Sequence, residues 1–198
     1  MISPYRLGDL VHTDLDGYTK YEILTHYPHS IASKYILEKQ TNINSNIDII
    51  TNIVLKHIKQ VEHLIPQDID NSTLIHLRLG DVVGGNEWHE KLKRPLEIDY
   101  LKSLVVSDSN KKYVIGKCFF AKPSSTNYEE CITLSNKYLE NVINHIQAEH
   151  FNSGDADIDL CCAVKAKLFI QGKGFFSKLI VDIRKKLNLP NIETNVHD

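Results

Sequence analysis

In the run Leu74-Ile75-His76-Leu77-Arg78-Leu79-Gly80-Asp81, a histidine and an arginine stand two residues apart in an otherwise apolar segment, which stops at a glycine and a carboxylate. Read as a strand over Leu74 to Leu79, residues 76 and 78 share one face and residues 75, 77 and 79 the other. A buried polar group without a partner costs about 1–3 kcal/mol, so two on one face of an apolar strand need a reason. Arginine supplies one: its planar, permanently charged fork can grip two phosphate oxygens at once. Open α/β sheets bind anionic ligands outside the carboxyl ends of their strands, where Arg78 would sit. The simpler alternative is a surface arginine paired with Asp81.

A second constellation spans Asp155 to Ile180. Asp155, Asp157 and Asp159 gather where a helix would open, as the positive end of a helix favours. The apolar strand Leu168 to Ile170 runs into Gly172-Lys173-Gly174, and a last helix begins at Phe175. Glycines let backbone amides approach a ligand, and the leading amides of a helix bind phosphate. Lys173 lies in the same loop. Alone, a Gly-x-Gly turn is weak evidence.

Together, the His76-x-Arg78-x-Gly80-Asp81 strand and the later Asp159, Phe169-Ile170 and Gly174-Phe175-Phe176-Ser177 resemble the donor-binding motifs of the fucosyltransferase superfamily. The resemblance covers about residues 73–187 and lies in short motifs. It implies a GT-B-like donor half, with Arg78 on the β-phosphate of GDP-fucose, Asp159 on the guanine, and the turn and helix start at Lys173, Gly174, Phe175, Phe176 and Ser177 on the phosphates. His76 would shape the pocket, and Cys118 and Phe119, placed at the end of the second strand, either line it or pack in the core. Arg78 would stabilise the leaving diphosphate without a metal, and Asp81, Glu87 and His89 are the candidate general bases. The implied partners are a nucleotide-sugar donor and a glycan or small-sugar acceptor, with no further cofactor. Two departures stand out. The usual hydroxyl residue two before Phe-Ser is Gly174 here, and the superfamily's N-terminal glycine-rich loop is not recognisable in the roughly 70 residues before the motif. A homodimer would complete such a reduced acceptor half. Two competing readings are a module that binds a nucleotide or nucleotide-sugar without turnover and a glycosyltransferase with another donor. Asp155-Ala156-Asp157 also matches the manganese-holding Asp-x-Asp of the other large glycosyltransferase fold, but helix capping explains it more simply.

The elements that must position these residues follow from periodicity. Ser30 can cap a short helix through Lys39. Ile50, Ile53, Val54, His57, Ile58, Val61 and Leu64 make a helical stripe in residues 45–65, ended by Pro66. Pro95 can start a helix over Glu97–Val106. Tyr113 to Gly116 reads as a second buried strand, followed by Lys117-Cys118-Phe119-Phe120. Thr126 or Asn127 caps a helix through Ile146, Phe151 sits on a short third strand, and a helix runs from Asp157 through Lys165. Strand and helix alternate from residue 73 on, which predicts a Rossmann-like α/β domain over 71–198 with a parallel sheet. Residues 1–70 form a smaller, mostly helical part. There, periodicity is poor over 1–40, and His12, Asp14 and Asp16 are candidate acceptor contacts. The long loop from Val83 to Arg94 carries Glu87, Trp88 and His89, and Trp88 could stack on a sugar ring. Arg-Leu-Gly-Asp occurs at 6–9 and again at 78–81, which reads as coincidence.

Composition narrows the class. The chain has 198 residues, 42% hydrophobic and 24% charged, with a net charge of −2. That balance offers no basic face for nucleic acid, so an anion site must be local. No stretch approaches the roughly 20 apolar residues of a membrane helix, and the start lacks the pattern of a signal peptide. Cys118, Cys131, Cys161 and Cys162 show no zinc spacing and read as reduced core residues of a cytoplasmic protein.

Overall fold

The computed structural model describes residues 7–13, 15–80, 82–83, 95–119 and 128–194. Four helices lead: α1 (Leu7–His12), α2 (Gly17–His26), α3 (Ile31–Thr41) and α4 (Asn46–Val61). Then come β1 (Thr73–His76), β2 (Leu79–Gly80), α5 (Ile98–Val105), β3 (Lys112–Ile115), β4 (Cys118–Phe119) and α6 (Tyr128–Ile146). The chain continues through β5 (Glu149–His150), α7 (Ala156–Lys165), β6 (Leu168–Ile170), α8 (Phe175–Lys186) and β7 (Asn191–Ile192).

The main sheet has five strands in the order β5-β3-β1-β6-β7, all parallel. This is a Rossmann-like, doubly wound α/β fold, as the strand–helix alternation predicts. β1 is central. The chain steps outward to β3 and β5, then returns through α7 to place β6 on the other side of β1. The order therefore reverses between β1 and β6, and the crevice outside their carboxyl ends is where such sheets bind ligands.

Alternation along the strands sorts the core into two layers. Leu74, Tyr113, Ile115 and Phe169 pack with α4, α7 and α8 and with Leu7, Ile23, Ile31 and Ile36 of the leading helices. Ile75, Leu77, Leu79, Val114 and Ile170 pack with α5 and α6 on the opposite face. The N-terminal helices thus bury their apolar residues in the same layer as α7 and α8. By this alternation His76 and Arg78 project toward the layer that holds the N-terminal helices, as their spacing requires.

Local chemistry explains most helix starts. Asp16, Ser30, Ser45 and Asp155 each accept a hydrogen bond from a first-turn amide of α2, α3, α4 and α7. No side chain caps α8, which starts at Gly174 with φ +91°. Gly8 lets α1 press on that same start: a Cβ there would lie 2.4 Å from the Phe175 carbonyl oxygen. Gly8 is helical whereas Gly80 has φ +86° in β2, so the Leu-Gly that the two repeats share folds in two unrelated ways.

Several expectations change. The strand read over Leu74 to Leu79 is two pieces, β1 and a short β2 that pairs with β4. The interruption falls at Leu77-Arg78, where Gly116 comes so close that a Cβ on it would lie 2.4 Å from the Leu77 carbonyl oxygen. The third strand is β5, and Phe151 follows it, its amide donating to the Val114 carbonyl. α1 and α2 replace the irregular reading of residues 1–40, and β7 is added at the edge. Thr126 and Asn127, the expected caps of α6, lie outside the described residues, as do Phe120 and the 84–94 part of the long loop.

Candidate functional site

A cavity of about 570 Å³ opens at the carboxyl ends of β1 and β6. That size suits a small organic ligand. One wall comes from the sheet: His76 to Leu79, Gly116, Lys117, Asp155 to Asp159 and Lys173 to Phe176. The other comes from the N-terminal helices: Leu7, His26 to Ser30, Ala32, His57, Val61 and Leu64.

Arg78 meets the start of α8 at one point. A Cβ on Gly174 would lie 3.0 Å from Arg78 Nη1 and 3.4 Å from its Cδ. Glycine is needed here twice, for the positive φ and for the close approach. The arginine fork and the uncapped, positive end of α8 therefore bear on the same small volume. Lys173 adds a second cation, its pKa lowered by burial and then by Arg78.

His76 is buried, and its Nδ1 has no hydrogen-bond partner among the described residues. Gly172 makes room for it, since a Cβ there would lie 2.2 Å from the His76 carbonyl oxygen and 2.6 Å from Nδ1. The ring packs on Phe176 with centroids 5.4 Å apart. Burial, then the Arg78 charge, pull its pKa down to about 4, so the imidazole is neutral at physiological pH.

The acidic helix start supplies three carboxylates. Asp155 accepts from the Asp157 amide at 2.8 Å. Asp159 accepts from the Ser153 hydroxyl at 2.6 Å, and burial pushes its pKa up to about 6. Asp157 accepts from the Ile31 amide at 2.7 Å and is likewise pushed up to about 6 by burial. Asp155 and Asp157 are thus engaged by helix starts, in keeping with capping rather than an Asp-x-Asp metal clamp. Among the described residues no group of three or more His, Cys, Asp or Glu side chains is disposed to hold a metal ion.

His76, Arg78, Asp159, Lys173, Gly174, Phe175 and Phe176 are brought together around one cavity. Ser177 and Cys118 are not part of its lining. Ser177 is fully buried, and its Oγ accepts from the Gly172 amide at 2.8 Å, bracing the turn from behind. Cys118 packs against the opposite core layer with α5 and α6. Asp81, Glu87, Trp88 and His89 lie outside the described residues, and so does Asp14. Of the N-terminal candidates, Asp16 caps α2, and His12 Nε2 lies 3.4 Å from Asp182 with its ring against Phe175. Neither lines the cavity.

Sequence reasoning missed the wall formed by His26, Tyr27, His29, Ser30 and His57. His57 sits in the apolar stripe of α4 and reads as core, yet it lines the cavity with Nδ1 3.2 Å from Lys34 Nζ. The only available signal was the dense His26-Tyr27-Pro28-His29 cluster between two capped helices.

No protein-family model matches the sequence, and no curated protein matches it. Among solved structures the chain is similar to crystal structures of POFUT1. One, in complex with GDP, is 11% identical with a TM-score of 0.43, covering 92% of this chain and 62% of that one. Another, in complex with GDP-fucose, is 10% identical with a TM-score of 0.41, covering 92% and 59%. A third, a further GDP complex, is 13% identical with a TM-score of 0.40, covering 82% and 50%. The chain thus spans between half and two thirds of the length of these structures. None of the helices among the described residues is long and apolar enough to cross a membrane.

Proposed function

We propose that this cavity holds a nucleoside diphosphate sugar, GDP-fucose first among candidates, and that the protein transfers the sugar to a glycan hydroxyl. The observation that carries the reading is the meeting of Arg78 with Gly174 and the uncapped start of α8 at the topological switch point. The diphosphate lies between the Arg78 fork and the amides from Gly174 to Ser177. Asp159, ionised at neutral pH, accepts hydrogen bonds from the guanine. Neutral His76 fills the strand mouth beside the sugar.

The reaction is direct displacement at the anomeric carbon with inversion. The acceptor oxygen forms a bond to that carbon as the bond to the β-phosphate oxygen breaks, and the acceptor proton passes to a general base. Asp81, Glu87 and His89, beyond the described residues, are the candidates for that base. Negative charge grows on the departing diphosphate, where Arg78 and the α8 amides already point. Losing one such preorganised donor costs on the order of 100- to 1000-fold in rate. Cys118, Cys131, Cys161 and Cys162 form no disulfide among the described residues, which fits a reducing, cytoplasmic setting.

Calorimetric titration of the full chain with GDP, GDP-fucose, UDP and UDP-sugars tests the reading. Guanine-selective binding that is lost in Arg78→Ala is expected, with GDP released from GDP-fucose when an acceptor is present. Binding of no nucleotide sinks the donor site. GDP binding without release of GDP from GDP-fucose across an acceptor panel leaves a binding module and removes the transferase.

A further inference from the structure

Asp157 is set apart from its two neighbouring carboxylates. Asp155 and Asp159 are satisfied within the loop and first turn of α7, by the Asp157 amide and the Ser153 hydroxyl. Asp157 reaches out of its own helix, and its Oδ2 accepts from the Ile31 amide at 2.7 Å, 126 residues away in sequence. Ile31 is the first residue of α3, so its amide has no partner inside the helix. The helix already has its local cap, since Ser30 Oγ accepts from the Ser33 amide at 3.1 Å. Asp157 is therefore a second cap, supplied across the tertiary structure.

The segment this pins is the Tyr27–Ser30 turn, and it is braced from within. The Ser30 and Ser33 hydroxyls donate to the Tyr27 carbonyl at 2.8 and 2.7 Å. Tyr27, His29 and Ser30 line the cavity together with Asp157 and Asp159. The turn is thus tied to the same first turn of α7 that carries Asp159. Asp157 shares this junction with Asp155, Lys34, His57 and the buried Cys161 thiol, and the turn itself carries Tyr27 and His29.

We propose that Asp157 is a positioning residue, fixing the Tyr27–Ser30 turn against α7 so that it walls in the base end of the bound nucleotide. This rests on the reading that Asp159 meets the base. It separates two parts of one ligand: the diphosphate is held at Arg78 and Gly174, independent of the turn, while the nucleoside depends on it.

The test compares wild type, Asp157→Ala and Asp157→Asn in the full chain, with calorimetric affinities for GDP and for inorganic pyrophosphate. Hydrogen exchange of the Ile31 amide is followed in parallel. Asp157→Ala is expected to weaken GDP about five- to tenfold, to leave pyrophosphate within about twofold, and to lose protection at Ile31. Asp157→Asn keeps an acceptor oxygen and is expected to restore GDP affinity. Where the alanine variant does not fold, Asp157→Ser, whose hydroxyl falls short of the Ile31 amide, takes its place. Equal losses for the two ligands, or undiminished GDP binding with Ile31 unprotected, overturn the proposal. If wild type binds pyrophosphate as well as GDP, the nucleotide reading itself fails, a result distinct from any difference among the variants.

Discussion

At the amino ends of β1, β3 and β5, charged side chains meet partners. Lys111 Nζ lies 3.3 Å from Asp68 and 3.1 Å from Glu149, and the Tyr113 hydroxyl donates to Asp68 at 2.7 Å. Thr73 donates to Asp108, and Lys165 pairs with Glu62 and Asp70. The consequences favour charge: the Tyr113 hydroxyl and Lys111 hold Asp68 below the usual carboxylate range, and Tyr113 and Glu149 hold Lys111 above its own. At the carboxyl ends the direction reverses. Burial drives His76 and Lys173 down and Asp157 and Asp159 up, each toward its neutral form. Groups that stabilise one another need no ligand. Groups held at a desolvation cost in a cavity mark a place where a ligand can supply what the protein does not.

The largest expected effect belongs to the amino end. Arg184 is fully buried, and burial lowers its pKa to about 10, but unlike the cavity groups it is met by partners: its Nη1 donates to the carbonyls of Ala163, Val164 and Ala166 at 2.8, 3.0 and 2.8 Å. Its Nη2 reaches Lys167 and Pro190 at 3.3 and 2.5 Å. It closes α7 and fastens the starts of β6 and β7. Arg184→Met strands those carbonyls and is expected to lower stability by at least about 3 kcal/mol, since each stranded group costs about 1–3. In denaturant titration the folded variant should still bind GDP with wild-type affinity. Arg78→Ala is the mirror experiment: GDP affinity falls up to about 100-fold, as for loss of a charge-assisted pair, while stability moves by less than about 1 kcal/mol. A midpoint shift in Arg78→Ala as large as that in Arg184→Met would erase the distinction between the two ends.

Local pattern carried much of this fold and only half of the site. The α4 stripe, the Ser30 cap and the alternation of His76 and Arg78 against Leu77 and Leu79 are written within a few residues. α2 was illegible because it buries one side chain, Ile23, so no stripe forms. β7 is two residues long and is a strand only because β6 lies beside it. The break at Arg78 falls where Gly116, just past the end of β3, crowds the Leu77 carbonyl. Cys118 falls on the face opposite Arg78, a matter of how β4 pairs with β2 rather than of its own neighbours in sequence. The second wall is assembled by contacts distant in sequence, the packing of the N-terminal helices on α7 and α8 and the Asp157–Ile31 hydrogen bond among them, which no local pattern encodes.

Gly174 sharpens the comparison within the carboxyl end. Its φ of +91° strains any side chain, and a Cβ there would lie 3.0 Å from Arg78 Nη1, so the fork would have to shift. Gly174→Ala is expected to cost about 1–3 kcal/mol in stability and to weaken GDP and pyrophosphate alike by about tenfold, because it displaces the fork. Equal affinity in variant and wild type, measured by calorimetry, would move the anion away from this corner.

The smallest effect tests the sign of the shift at Asp159. Guanine offers two adjacent N–H donors, and only the ionised carboxylate accepts both, one on each oxygen. With its pKa pushed up to about 6, Asp159 loses that form as pH falls from 7.5 to 5, and base recognition falls with it. Stability of the ligand-free protein runs the other way for this group. The folded state binds the proton more tightly, so its contribution is complete below about 3.9 and is lost as pH rises through about 6. Phosphate titrates in the same range, so the quantity to follow is the ratio of GDP to pyrophosphate affinity. That ratio should drop about tenfold by pH 5, following the ionised fraction of Asp159, and should stay flat in Asp159→Asn. Asp157 titrates in the same range but meets the Ile31 amide, which a protonated carboxyl still satisfies through its carbonyl oxygen. A flat ratio in wild type would take the base away from Asp159 and leave the diphosphate corner as the whole of the binding site.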